Sequence, residues 1–518
     1  MDEKKITITV KQINRITTIL GNRGDSLYTI LCDNDLFVDA VCAGRGTCGQ
    51  CGIQLIEGDL PVSTQDEEVF SKQELRDGYR LSCQAYPEDD CVIYLREKET
   101  YQTDYDKKNQ NIINRNQDEL GIAIDIGTTT IIYKVISKTS KEELVYESQL
   151  NENRMYGADV LSRIEAANNG LLPQICRQMR SQLKEELIKL TYSINVEHLT
   201  HIIISANMTM IHFLMNYSCE KLGKYPFTPY TTEWIKTDAK ELEILEHSIP
   251  VTILPAISAF VGGDIVSGLY SLGILSSEKK VLFLDLGTNG EMALSDGKGH
   301  LFVTSASAGP AFEGGNISCG IGSVNGAIQG VTFMGLEVKL DIIGNGTPVG
   351  ICGSGIIESL YELRKHNIID ETGLLIDAYF DNGYPISKEQ ELVITQKDIR
   401  EIQMAKAAIA AGIDMLLKEA GYRPDEIEDI YLAGGFGYHL SIEKAVGIGL
   451  LKKEWMGRIH LVGNTSLMGA YKLLCSQNYV DEIAKIKAAA HEIYLSNIPE
   501  FEEHYLQNMT LEDIDEKN

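Results

Sequence analysis

Cys42, Cys48 and Cys51 lie within ten positions of one another in "VCAGRGTCGQCG" (41–52), and Cys83 follows in "GYRLSCQA". The spacing is C-x5-C-x2-C with one distant fourth cysteine. Thiolates so placed can hold metal, and glycines between them have a mechanical use. Gly44, Gly46, Gly49 and Gly52 permit tight or left-handed turns that aim backbone N–H groups at bound sulfur. Zinc sites usually offer two short C-x2-C knuckles, or one knuckle with a cysteine or histidine pair. Here there is one knuckle, and no histidine precedes position 198. The pattern therefore favours an iron–sulfur cluster over zinc or unrelated buried cysteines.

A second chemistry sits in "GIAIDIGTTT" (121–130). An apolar strand ends in Asp125, a glycine turn carries three threonines, and another strand follows. Gly127 lets the backbone approach an anion, while Thr128, Thr129 and Thr130 offer N–H and hydroxyl donors. Asp125 is placed to hold Mg²⁺ through water. The pattern returns in "VLFLDLGTNGEMAL" (281–294), with Asp285, Gly287, Thr288 and Asn289. A third element, "DIYLAGGFGYHL" (429–440), is an apolar strand running into Gly434, Gly435 and Phe436, where a base and ribose can lie against bare backbone. One Asp-Gly turn is an ordinary hairpin. Two copies and a strand ending in Gly-Gly, in this order, point to a nucleotide cleft between two duplicated halves, with Asp125 and Asp285 as its catalytic carboxylates.

These residues need elements to position them. Around the cysteines, "KKITITV", "SLYTIL", "CGIQLIEG" and "CVIYLRE" read as short strands, and "STQDEEVFSKQEL" as a helix opened by a Ser or Thr cap. Cys91 begins an apolar strand and reads as core. The arrangement resembles the β-grasp of plant-type and adrenodoxin-like 2Fe–2S ferredoxins; in the plant type the first cysteine gap is shorter by one. Residues 99–119 are polar and without apolar period, and read as a linker.

Composition bounds the rest. The 518 residues allow several domains, and a net charge of −27 argues against nucleic acid and anionic membrane surfaces as partners. "MDEKKITITV" has no signal-peptide core, and no apolar run reaches the ~18–20 residues of a membrane span. A soluble cytoplasmic protein is expected. Eleven cysteines scattered along such a chain do not read as a disulfide framework.

The order phosphate hairpin, second hairpin, Gly-Gly strand resembles the actin, sugar-kinase and heat-shock-chaperone ATPases. Joined to a 2Fe–2S domain, it resembles the reductive activators of corrinoid proteins. "YGADVLSRI" (156–164), "ANMTMIHFL" (206–214), "YPFTPY" (225–230), "SAGPAFEGGNISCG" (307–320), "GICGSGIIE" (350–358) and "GNTSLMGA" (463–470) are similar to that family. The resemblance implies an α+β and α/β architecture. Residues 1–98 form a β-grasp ferredoxin, 99–119 the linker, and 120–277 and 278–475 the two halves of a ribonuclease-H-like ATPase. An acidic helical tail occupies 476–518. It implies a 2Fe–2S cluster on Cys42, Cys48, Cys51 and Cys83, and ATP with Mg²⁺ in the cleft. The activity implied is one-electron return of an inactive Co(II) corrinoid protein of a methyltransferase system to Co(I), in anaerobic metabolism. The partners are that corrinoid protein and a low-potential electron donor, and a homodimer is allowed. Other classes stay open: an activator of another low-potential enzyme, a small-molecule kinase, or a redox sensor of the same superfamily. Larger members insert a domain where this chain has about twenty linker residues, and others add C-terminal cysteine clusters for which the tail has no cysteine.

The remaining residues have plainer readings. Cys319 and Cys352 read as buried small residues, His198 and His201 as surface or capping groups, and "MTMIHFLM" as a core helix.

Overall fold

A computed structural model describes residues 5–12, 15–34, 36, 38, 46, 51–95, 119–157, 159–194, 196–335, 337–434, 440–476 and 479–511. Cys42, Cys48, Gly435 and Phe436, and all of the linker but Glu119, lie outside them. The chain forms two compact units. One comprises Met1–Thr100, Asn151–Leu183 and His212–Phe227; the other comprises Tyr101–Leu150, Lys184–Ile211 and Thr228–Asn518. No helix among the described residues is long and apolar enough to cross a membrane.

The first unit opens with β1 (Lys5–Lys11), β2 (Ile16–Asn22), α1 (Leu27–Asp33), β3 (Gly52–Glu57), α2 (Thr64–Val69), α3 (Lys72–Arg76), β4 (Tyr79–Leu81) and β5 (Cys91–Tyr94). The sheet order is β2-β1-β5-β3-β4, with β1 parallel to β5 and the other pairs antiparallel, a β-grasp. "SLYTIL" is not a strand but the start of α1. Ser26 Oγ accepts from Thr29 N–H at 3.1 Å, and Leu27, Ile30 and Leu31 are buried together at helical spacing. Two further strands, β2 and β4, have no counterpart among those read from the sequence. "STQDEEVFSKQEL" is two helices rather than one, because Ser63 and Ser71 each build a capping box. Buried Asp66, in the first box, also accepts from Leu81 N–H at 2.7 Å and so ties α2 to β4. Cys91 is buried, as expected, and burial pushes its thiol up to about 11.

Beyond the β-grasp sheet the chain repeats one design. The chain continues with β6 (Leu120–Ile126), β7 (Thr130–Ser137), β8 (Glu143–Leu150), α4 (Val160–Ala166), α5 (Leu172–Ser193), β9 (Leu199–Ala206), α6 (Met208–Met215), β10 (Ile235–Asp238), β11 (Pro250–Ile253) and α7 (Gly263–Leu272). Next come β12 (Val281–Leu286), β13 (Gly290–Ser295), β14 (Leu301–Ala306), β15 (Ala327–Met334), β16 (Glu337–Ile342), β17 (Gly350–Ile351) and α8 (Gly353–Lys365). Then follow β18 (Tyr384–Ser387), β19 (Leu392–Ile394), α9 (Gln396–Ala420), β20 (Asp429–Gly434), α10 (Ile442–Gly447), β21 (Ile459–Gly463), α11 (Thr465–Cys475), α12 (Tyr479–Ala489), β22 (Ala490–Glu492) and α13 (Phe501–Gln507).

Two sheets result, ordered β10-β11-β9-β6-β7-β8 and β21-β20-β12-β13-β14-β22. In each, an antiparallel meander (β6-β7-β8, β12-β13-β14) carries a parallel strand on its first member (β9 on β6, β20 on β12). The duplication expected from the two Asp-Gly-Thr motifs is thus a duplication of sheets. The strands that bear the aspartates are buried on both faces, which is why they read as unbroken apolar runs. Apolar residues of both sheets, Ala123 and Ile203 on one and Phe283 and Ala433 on the other, join α7 and α11 in one core.

Candidate functional site: paired thiols and a cleft of carboxylates

In the ferredoxin-like part, strand register brings two cysteines together. Cys51 immediately precedes β3 and Cys83 lies two residues beyond β4, and those strands pair with Gly52 opposite Leu81. Ser82 N–H closes the end of the pair on Cys51 C=O at 3.0 Å. Both thiols are buried, with their sulfurs 3.3 Å apart. Two thiolates sharing a tetrahedral metal at ~2.3 Å would stand roughly 3.7 Å apart, so the pair fits one metal of a cluster. The Cys51 thiol is driven upward by its Cys83 neighbour and by burial, so two ionised sulfurs would need metal charge to coexist here. Ser82 Oγ is buried beside them, and its side chain favours the ionised form of Cys51.

The other site is a cavity of about 350 Å³ lined by both Asp-x-Gly-Thr hairpins. Asp125 is the penultimate residue of β6, opposite Ser205 of β9; Asp285 is the penultimate residue of β12, opposite Glu291 of β13 and Ala433 of β20. Gly127, Thr128, Thr129 and Thr130 line it from one hairpin, and Gly287, Thr288 and Asn289 from the other. Gly434 closes it from β20, and no larger residue fits there. Its φ is +93°, and a Cβ would lie 2.5 Å from Leu286 O and 2.9 Å from Asp285 Oδ1. At Gly127 a Cβ would meet Thr130 O at 2.8 Å.

Several lining residues received no role from the sequence: Asp264, Glu291, Glu313, Asn207, Asn464 and Ser466. Asn207 caps α6 by accepting from Met210 N–H at 3.0 Å, and its amide donates to Thr128 Oγ1 at 3.0 Å. Asn464 and Ser466, at the start of α11, donate to the two oxygens of Asp125 at 2.6 Å each. Asp264 lies in the first turn of α7. Four of the six fall inside stretches noted for family resemblance, which was the available signal. Asp264 and Glu291 carried none beyond "GGD" at a helix start and an acid inside a strand.

The electrostatics are unusual. Five carboxylates line the cavity, and no lysine or arginine is among the described residues that line it. Glu291 faces Asp285 directly across the ladder, a like-charge pair that costs stability. Burial raises Asp125, opposed by the bonds from Ser466 and Asn464. Burial pushes Asp264 up to about 7, with the charge of Asp125 adding to the rise. Asp285 is pushed up to about 8 by burial and then by Asp264, Asp125 and Glu313. Glu291 is held well above the carboxylate range by burial, Asp264 and Asp285. Such a set suits a divalent cation that arrives with an anionic ligand. Among the described residues, no three His, Cys, Asp or Glu stand close enough to hold a metal ion directly.

The other singled-out residues sit apart from this chemistry. Cys352 is buried as the N-cap of α8, and Cys319, half-buried, lies 3.2 Å from Val393 O. His201 is a half-buried strand residue rather than a surface group, 2.8 Å from Thr252 Oγ1 on the neighbouring strand. The Met-rich helix α6 is largely buried, as expected.

Paired ferredoxin-type cysteines and a duplicated, actin-like fold in one chain define a class: an iron–sulfur protein with an ATPase-type body. Residues 11–88 match the 2Fe–2S iron–sulfur cluster binding domain, 120–277 the RACo middle region, and 279–518 the C-terminal domain of RACo, the ASKHA domain. The corrinoid activation enzyme RamQ of Eubacterium limosum is 30% identical over 422 residues, covering 75% of this chain and 70% of that protein. The [Co(II) methylated amine-specific corrinoid protein] reductase of Methanosarcina barkeri is 24% identical, covering 76% and 79%. A solved reductive activator for corrinoid, iron–sulfur protein superposes with a TM-score of 0.72 at 26% identity, over 98% of this chain and 99% of that one. The chain belongs to the RACo family of corrinoid activators. Residues 120–277, read as the first ATPase half, match the family's middle region.

Proposed function

We propose that this protein reductively activates a corrinoid protein of a methyltransferase system, returning inactive Co(II) to Co(I) by one-electron transfer coupled to ATP. One observation carries the reading. A thiol pair spaced for a metal cluster and a two-hairpin carboxylate cleft occur in a chain similar to a corrinoid activation enzyme over three quarters of its length. Residues 1–98 serve as the electron-transfer domain, 99–119 as its linker, 120–277 and 278–475 as the two ATPase halves, and 476–518 as the tail.

Cys42, Cys48, Cys51 and Cys83 would hold the 2Fe–2S cluster, which supplies one electron when bound. The register of β3 against β4 sets the Cys51–Cys83 half of that site in advance. In the cleft, Gly127 and Thr128–Thr130 receive phosphate oxygens from one side, and Gly287, Thr288 and Asn289 from the other. Gly434, Gly435 and Phe436 receive the adenosine. Asp125 and Asp285 would hold Mg²⁺ through water, and its charge would offset the crowded carboxylates. Asn464 and Ser466 orient Asp125 for that task. Phosphates held by hairpins from two sheets give the nucleotide a lever on both halves, which couples its state to affinity for a partner. A low-potential donor must reload the chain.

The test is phosphate release from Mg-ATP by the anaerobically prepared chain, with and without a Co(II) corrinoid protein. Stimulation by that protein is expected. Equal rates with and without it, alongside phosphorylation of a small acceptor, would favour a kinase instead.

A further inference from the structure

Glu313 ends a short turn, Pro310–Glu313, between β14 and β15. Its Oε2 accepts from Thr129 Oγ1 at 2.7 Å and also from Thr288 Oγ1. Thr129 belongs to the β6–β7 hairpin and Thr288 to the β12–β13 hairpin, so one carboxylate oxygen bridges both phosphate-binding turns. A hydroxyl has one proton to give. While Thr129 and Thr288 donate to Glu313, those protons are closed to a phosphoryl oxygen. The bridging oxygen stands in a cavity already lined by Asp125, Asp264, Asp285 and Glu291, and the two hydroxyls are the donors that hold it there. It marks the point within reach of both hairpins, where a terminal phosphoryl group spanning them would lie.

We propose that Glu313 is the residue by which the cleft distinguishes ATP from ADP. In the empty and ADP states it bridges Thr129 and Thr288. The terminal phosphate of ATP takes those two donors and expels the carboxylate. The inference rests on the reading of the hairpins as phosphate-binding. The displaced carboxylate is carried by a segment with fixed anchors. Gly314 follows at φ +82°, packed so closely that a Cβ would lie 2.6 Å from Ile321 N and O. Four residues further on, Ser318 is fixed to Asp398, at the start of α9, through its N–H at 2.7 Å and its hydroxyl at 3.0 Å. Movement of Glu313 is therefore concentrated in residues 307–317.

The experiment uses the full, cluster-loaded chain with Mg²⁺. Binding of ADP and of a non-hydrolysable ATP analogue is titrated calorimetrically for the wild type, Glu313→Ala and Glu313→Gln. With the competitor removed, Glu313→Ala should bind the ATP analogue at least tenfold more tightly and ADP within twofold of wild type. Glu313→Gln, which keeps the shape and loses the charge, should move the same way by less, and it decides the matter if the alanine variant folds poorly. Amide exchange over 307–317 should be faster in wild type with the ATP analogue than with ADP, with a smaller difference in Glu313→Gln. Equal tightening for both nucleotides, or weaker binding of the ATP analogue, overturns the inference while leaving the hairpin reading intact. A wild type that binds neither nucleotide overturns both.

Discussion

Asn464 donates its side-chain amide to Asp125 Oδ2 at 2.6 Å, across 339 residues of chain. The bond joins the start of α11 to the first phosphate hairpin, and Ser466 completes the hold on the other carboxylate oxygen. Hydrogen bonds to a charged group contribute about 1.5–3 kcal/mol each. Asn464→Ala and Ser466→Ala should therefore each lower kcat/KM for ATP by roughly 10- to 100-fold. Because both act through Asp125, the double variant should lose less than the product of the two. Steady-state phosphate release measures this; fully multiplicative losses would show that the two residues act separately.

Replacing the carboxylates themselves should cost more. Asp125→Ala and Asp285→Ala remove the groups assigned to metal and water, and turnover should fall by at least ~10², or ~2.7 kcal/mol. The visible spectrum of the cluster should be unchanged in both, since its cysteines lie in another part of the fold. Wild-type turnover in both variants would refute the assignment of the hairpins.

The raised carboxylates predict how the metal-free protein responds to pH. Asp264 and Asp285 sit near 7 and 8 in the folded chain and near ~3.9 once unfolded. Between about pH 4 and 8 the native state therefore holds more protons than the unfolded state, and stability falls as pH rises. Urea unfolding followed by tryptophan fluorescence reports the unit that contains both tryptophans, Trp234 and Trp455. Without Mg²⁺ and nucleotide its midpoint should decline from pH 5.5 to pH 8.5. In Asp285→Asn the decline should be shallower. A midpoint that climbs across this range in the metal-free wild type would contradict the burial of these groups.

Much of this arrangement was legible in the sequence, and the gaps have physical causes. The two hairpins announce themselves because an apolar strand, an acid, a glycine and a hydroxyl residue must follow one another to build each turn. The cysteine pair is legible because cluster geometry restricts spacing. "SLYTIL" misleads because five residues of alternating bulk satisfy both periods, and only the Ser26 cap decides for a helix. Glu313, Asn464 and Ser466 were invisible as site residues because their partners lie 184, 339 and 341 positions away. No local pattern encodes a contact made by folding two sheets around one cavity.

The thiol pair gives a test independent of nucleotide. Anaerobically purified protein should contain about two irons and two acid-labile sulfides per chain. Cys83→Ser and Cys48→Ser should bleach it. Cys475→Ser, at the end of α11, should leave colour and iron content as in wild type. Stoichiometric zinc without sulfide would contradict the cluster assignment.

The central claim is tested most directly by watching cobalt. Reduced protein, Mg-ATP and a Co(II) corrinoid protein from a methyltransferase system are mixed without oxygen, and the Co(II) and Co(I) absorption bands are followed together with phosphate release. Loss of the Co(II) band and growth of the Co(I) band are expected with ATP, and far less of either with ADP or no nucleotide. Chain lacking residues 1–98 should hydrolyse ATP and leave cobalt unreduced. Reduction that runs equally well without ATP across several cognate corrinoid proteins would contradict the claim.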